Sequence, residues 1–149
     1  MNRFVFKLEP LFDYRMRLED ICKKELGEAL KRLEDEESKL ELIKEIYRKA
    51  SKEIDRMKEN NAPIEEFSLY YAYITKLKTH IEAQEKIIMD VRASFEAKRE
   101  KLAEAAKKKR VVELIRERSY GSFVERENKA EQKASDDLTS SRFKKKESA

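Results

Sequence analysis

Asn60-Asn61-Ala62-Pro63 interrupts two long runs of heptad-spaced apolar residues. Asparagine is a poor helix-interior residue and a good turn or cap residue, and Pro63 has no N–H with which to continue a helical ladder. A four-residue break of this kind predicts a reversal of the chain rather than a kink. With two prolines, two glycines and no tryptophan in 149 residues, there are few other places to turn. The expected fold is all-α, with two long helices forming an antiparallel coiled-coil hairpin.

Upstream of the break, helix one is expected over about residues 10–59. Pro10 suits a first helical turn, where its missing N–H would be unpaired anyway. From there the seam steps by four and three through Arg15, Glu19, Cys22, Leu26, Ala29, Leu33, Glu36, Leu40, Ile43, Tyr47, Ala50, Ile54 and Met57. A straight helix drifts off a strict seven-residue repeat, so holding the repeat this long implies a left-handed supercoil around a partner.

Downstream, the turn at 60–63 gives way to helix two, expected over about residues 63–133. Its seam runs through Phe67, Tyr70, Ile74, Leu77, Ile81, Gln84, Ile88, Val91, Phe95, Lys98, Leu102, Ala105, Lys109 and Val112. Folding the chain about Ala62 sets Ile54 against Tyr70, Ala50 against Ile74, Tyr47 against Leu77 and Ile43 against Ile81. Small residues then oppose large ones, as interdigitating layers require. Residues 1–133 form the expected hairpin, and helix two outruns helix one unless Phe4, Phe6 and Leu8 extend alongside it. Residues 134–149, rich in Ser, Lys and Asp and without the repeat, are expected to be a disordered tail.

Composition agrees with a thin seam between solvated faces. Charged residues make up 44% of the chain and mean hydropathy is −0.88, but 35 basic and 31 acidic residues leave a net charge of only +4. Mixed charges on helical faces form weak i,i+4 pairs, and no one-sided basic face marks a nucleic-acid footprint. The basic run Lys107-Lys108-Lys109-Arg110 is spread around the helix, with Glu113 and Glu117 among the following cations. The single Cys22 falls on the seam as a small hydrophobe. The N-terminal apolar stretch is too short for a signal peptide and no membrane span follows, so a cytosolic protein is expected.

Catalysis finds little support. His80 is the only histidine, and no Gly-rich loop leads into a Lys-Ser or Lys-Thr pair. Carboxylates on a two-helix surface lack a dry cleft that would shift their pKa values. No enzyme activity, metal or cofactor is expected. The features above the scaffold are an aromatic crowd near the turn (Tyr47, Phe67, Tyr70, Tyr71, Tyr73) and polar residues in the seam (Glu36, Gln84, Lys98). On a helix, residues 70, 71 and 73 do not share one seam, so Tyr71 or Tyr73 is expected outside it. Polar seam residues cost stability and fix register.

Several stretches resemble the FliJ family, the stalk of the flagellar type III secretion ATPase. They are Phe6-x-Leu8-x-x-Leu11-x-x-x-Arg15-x-x-x-Glu19, Glu82-x-Gln84, Arg99-x-x-Leu102, Lys108-Lys109 and Glu113-Leu114-x-x-Glu117-Arg118. The resemblance implies a hairpin similar to the central stalk of rotary ATPases, with no enzymatic site. It implies insertion into the hexameric export ATPase ring, promoting ring assembly and activity, and contact with the cytoplasmic domain of the export gate. Some family members also bind export chaperones. Carried onto this chain, ring binding falls to Leu11, Arg15, Leu18, Lys109, Glu113 and Arg116. Gate binding falls to Glu36, Leu40, Ile43, Tyr47, Tyr73, Leu77, His80 and Gln84. The implied location is cytoplasmic and peripheral, at the inner membrane of the flagellar base, without membrane insertion or nucleic acid. A structural or adaptor coiled coil and a nucleic-acid-binding helical protein are the competing readings.

Overall fold

A computed structural model describes residues 2–148. Two helices account for nearly all of them, α1 (Glu9–Glu59) and α2 (Ile64–Glu147). The break between them is built as the sequence requires. Asn61 takes the left-handed conformation (φ 50°), which asparagine tolerates better than most residues. The Ala62 N–H reaches back to the Met57 carbonyl at 3.1 Å, and the Asn60 N–H to the Arg56 carbonyl at 3.1 Å, so two carbonyls of the last turn of α1 find partners. Pro63 then opens α2. Its carbonyl accepts from the N–H groups of Glu66 (3.1 Å) and Phe67 (3.3 Å), and Glu65 and Glu66 place negative charge at the positive end of the helix.

The chain divides into two compact units. The turn unit, Ile21–Ala103, is an antiparallel helical hairpin. Ala50, Ile54, Ile74 and Leu77 form one buried cluster, with Ile43, Tyr47, Phe67 and Tyr70 packed against it. Leu33, Ile88 and Val91 form a second, flanked by Leu40 and Phe95. Three of the pairs that folding about Ala62 predicts, Ile54 with Tyr70, Ala50 with Ile74 and Tyr47 with Leu77, fall within the first cluster. Each fully buried aliphatic side chain contributes roughly 1.5–3 kcal/mol, so the seam holds by repetition of layers.

The terminal unit comprises the residues up to Asp20 and those from Glu104 onward. Here the first turns of α1 pack on α2, with Val112 buried and Phe12 and Leu18 half-buried. Non-helical residues ahead of α1 also lie on α2. The Phe4 ring meets Tyr120 edge-on at 5.3 Å and Phe123 at 5.4 Å. The N-terminal aromatics therefore cover part of α2 that α1 does not reach.

α2 continues through the stretch expected as a disordered tail, as far as Glu147. No proline or glycine interrupts residues 122–147, and hydroxyls fold back onto the helix, Thr139 Oγ1 donating to the Ser135 carbonyl at 2.9 Å. Lys144, Lys145 and Lys146 sit in the last turn, where cations oppose the helix dipole. Residues 128–148 are all exposed, so this last stretch of α2 has no packing partner among the described residues.

Candidate functional site

The polar residues of the seam come together in cross-helix pairs. In the turn unit the Gln84 side-chain nitrogen donates to the Glu36 carbonyl at 3.0 Å and to its carboxylate at 2.6 Å. That hydrogen bond, and then one from Lys39, holds the Glu36 carboxyl below its ordinary 4.5. Lys98 donates to Glu25 at 3.2 Å, and on an outer flank Arg92 pairs with Glu37 at 2.9 Å. In the terminal unit Lys109 reaches Glu19 at 3.1 Å, and Glu19 is 5% exposed. Arg116 pairs with Glu9 at 3.0 Å and lies 6.0 Å from the Phe12 ring centroid. A cross-tie of this kind is lost if one helix slips by a turn against the other.

All six residues that the resemblance assigns to ring binding fall in the terminal unit. Leu11 and Arg116 are exposed, while Arg15, Leu18, Lys109 and Glu113 are half-buried. Arg15 lies beside the Tyr14 ring, 5.7 Å from its centroid. Three of the six are already engaged, Lys109 with Glu19, Arg116 with Glu9, and Glu113 with Arg110 at 2.7 Å. Arg110 also approaches Glu117 at 3.4 Å, so part of the basic run is neutralised by its own helix.

The eight gate candidates lie in the turn unit and divide sharply. Leu77 and Gln84 are buried, and Leu40, Ile43 and Tyr47 pack against the two core clusters. Glu36 is bound to Gln84. While the seam is closed these six are structural. Tyr73, 46% exposed, and His80 are accessible. Tyr71, at 50%, is exposed as well, so both tyrosines flanking the seam lie outside it.

The heptad explains this division and adds residues that the sequence reading missed. Tyr73, His80 and Ile87 each precede a seam position of α2, as Ile46 precedes Tyr47 on α1. Residues that follow a seam position flank the opposite side, as the Glu37–Arg92 pair shows. In an antiparallel pair, equivalent flanks face the same side. Ile46 and Ile87, 44% and 43% exposed, therefore join Tyr73 and His80 on one face of the hairpin. Their signal was in the sequence as apolar residues one step off the seam.

Among the described residues no group of three or more His, Cys, Asp or Glu is placed to hold a metal ion, and no helix is long and apolar enough to cross a membrane. The family model described as Flagellar FliJ protein matches residues 4–148. The chain belongs to the FliJ family. No curated protein and no solved structure matches it. Membership carries the general role of FliJ proteins, a non-enzymatic stalk of the flagellar export machinery, and implies association with the export ATPase complex.

Proposed function

We propose that the terminal unit enters the hexameric ring of the flagellar export ATPase, promoting its assembly and turnover, and that the turn unit meets the cytoplasmic domain of the export gate. The observation that carries this is the family match across residues 4–148, together with the gathering of all six ring candidates into the unit that holds both chain termini. On this reading Leu11, Arg15, Leu18 and Arg116 touch the ring. Lys109, tied to Glu19, holds the two helix segments in place, while Glu113 is paired with Arg110 on its own helix.

Six identical subunits around an asymmetric stalk cannot all make the same contacts. The subunit whose closed state gains most from the stalk is favoured at that moment, which biases nucleotide turnover through differential binding energy. Exposed, mixed-sign charges suit this role, because each exposed ion pair contributes at most about 1 kcal/mol and re-forms readily. The gate-facing surface is the side of the turn unit that bears Tyr73 and His80, extended by Ile46 and Ile87. Aromatic and aliphatic side chains left in water are effective contact anchors.

The test measures ATP hydrolysis by the cognate export ATPase with the full chain added. Reversing Arg116 alone would set two carboxylates against each other at Glu9. The informative variant is therefore Arg15→Glu with Glu9→Arg and Arg116→Glu, which keeps an internal ion pair while changing the charge that the ring meets. Loss of stimulation is expected from a variant that stays helical. Full stimulation would overturn the placement of the terminal unit.

A further inference from the structure

The N-terminal segment of the terminal unit does more than cover α2. Phe4 and Phe6 are half-buried, whereas Arg3, Val5 and Lys7 are exposed, so the segment alternates between the helix and solvent. Together with α2 it borders an open groove of about 770 Å³. Among the described residues four cations line it, Arg3, Lys7, Arg118 and Arg126, and no carboxylate does, in a chain with 31 acidic residues. Arg3, Lys7 and Arg118 make no ion pair with any described residue. Among the described residues Arg126 donates only to the Ser122 carbonyl at 3.4 Å, and Glu9, which lines an adjoining hollow with Arg3, is paired with Arg116. Between the cations lie Val5, 76% exposed, and Ile115, 39% exposed.

From this arrangement we propose that the groove between the N-terminal segment and α2 is a docking site for an acidic, amphipathic peptide segment of another protein. Its carboxylates would meet Arg3, Lys7, Arg118 and Arg126, and its aliphatic side chains would cover Val5 and Ile115. The charge pattern selects the sign of the partner, since unpaired cations around a trough without carboxylates repel a basic segment and attract an acidic one. The exposed aliphatic floor favours a peptide over a bare polyanion. The Phe4 ring is engaged with Tyr120 and Phe123, which leaves it unavailable for stacking on a nucleic-acid base. Val5 alone is a shallow anchor for a membrane. The site does not depend on ring entry, because it is defined by its own charge and shape.

The probe is a fluorescently labelled synthetic peptide of glutamate and leucine, titrated into the full chain and followed by anisotropy. The comparisons are the same peptide with lysine for glutamate, a short single-stranded RNA, and vesicles containing anionic lipid. Preferential binding of the acidic peptide is expected, weakening as salt rises. Arg118→Glu with Arg126→Glu is expected to lower its affinity about tenfold or more, and Val5→Ser to lower it severalfold while helix content stays unchanged. Phe4→Ala, which frees the N-terminal segment from the aromatic pair, is expected to reduce binding without touching a groove cation. Binding indifferent to Val5→Ser, or stronger binding to RNA or vesicles, would overturn the proposal, as would no binding of the acidic peptide.

Discussion

Gln84 spans the seam of the turn unit with a single amide nitrogen, donating to both the backbone carbonyl and the carboxylate of Glu36. A polar pair in an apolar seam is a register device. It is satisfied in one alignment and leaves buried polar atoms unpaired in the others. Gln84→Leu is expected to lower the thermal midpoint, because the Glu36 carboxylate then faces an aliphatic side chain. Glu36→Leu with Gln84→Leu is expected to raise it above the parent, since a well-packed apolar pair commonly outperforms a polar one. Thermal melts followed by circular dichroism decide between these directions.

The same pair sets a pH dependence. The Gln84 hydrogen bond, with Lys39 second, lowers the folded-state pKa of Glu36 from its ordinary 4.5. A depressed carboxyl contributes stability that is present above the unfolded value and lost as pH falls through the folded one. Stability of the parent should therefore decline below about pH 4.5 more steeply than that of Gln84→Leu. Parallel urea titrations at pH 6 and in the acid range measure the difference in slope, and identical slopes would show that Glu36 gains nothing from Gln84.

Lys109 and Glu19 make the corresponding tie in the terminal unit, with Glu19 almost wholly buried. Lys109→Ala removes a counter-charge from a buried carboxylate and is expected to cost about 1–3 kcal/mol. Replacing both residues with leucine should restore most of that loss. If Lys109 serves by positioning, the double-leucine variant will still stimulate the export ATPase. A stable double variant that no longer stimulates it would place the Lys109–Glu19 pair in direct contact with the ring.

The hairpin was legible because one rule governs it. Every seam position read from the spacing is buried or half-buried, from Arg15 to Met57 and from Phe67 to Val112. The break at Asn60–Pro63 was equally plain, since few residue types tolerate its backbone. The partnerships of Lys98 and Lys109 were not, because Glu25 lies off the seam and a helix offers several acidic neighbours to any lysine. The packing of Phe4 on Tyr120 and Phe123 was open for a related reason. Nothing in a heptad says what a non-helical segment will cover. The extent of α2 past residue 133 was missed because the absence of a seam shows only that a segment has no partner, not that it abandons the helix.

Asn61 carries the one left-handed residue at the turn. Asn61→Gly should be tolerated or slightly stabilising, whereas Asn61→Val forces a β-branched side chain into that conformation at about 1–2 kcal/mol. Urea denaturation of both variants gives the comparison, and equal midpoints would mean that the turn relaxes into another geometry.

Gly27 and Gly121 sit in helix interiors with open space where a β-carbon would be. Alanine at either position should stabilise its unit by roughly 0.5–1 kcal/mol, the ordinary helix-propensity difference. The shift is read from the denaturation midpoint of each single variant. A loss of ATPase stimulation in Gly121→Ala, despite higher stability, would indicate that the terminal unit must bend there to work.

Tyr73, His80 and Leu77 lie within two turns of one helix, and the resemblance assigns all three to the export gate. Their surroundings separate them, because Tyr73 and His80 are exposed and Leu77 is in the seam cluster with Ala50, Ile54 and Ile74. Leu77→Ala should destabilise the turn unit, toward the lower end of about 2–5 kcal/mol because the seam is thin. Any loss of gate binding should then track the loss of folded protein. Tyr73→Ala, His80→Ala and Ile87→Ser should leave the melting midpoint nearly unchanged while weakening binding to the isolated cytoplasmic gate domain, by about tenfold for the tyrosine. Calorimetry on the two proteins, paired with thermal melts, separates the two classes. If Leu77→Ala abolished binding at a temperature where it is fully folded, the seam would have to open when the gate is engaged.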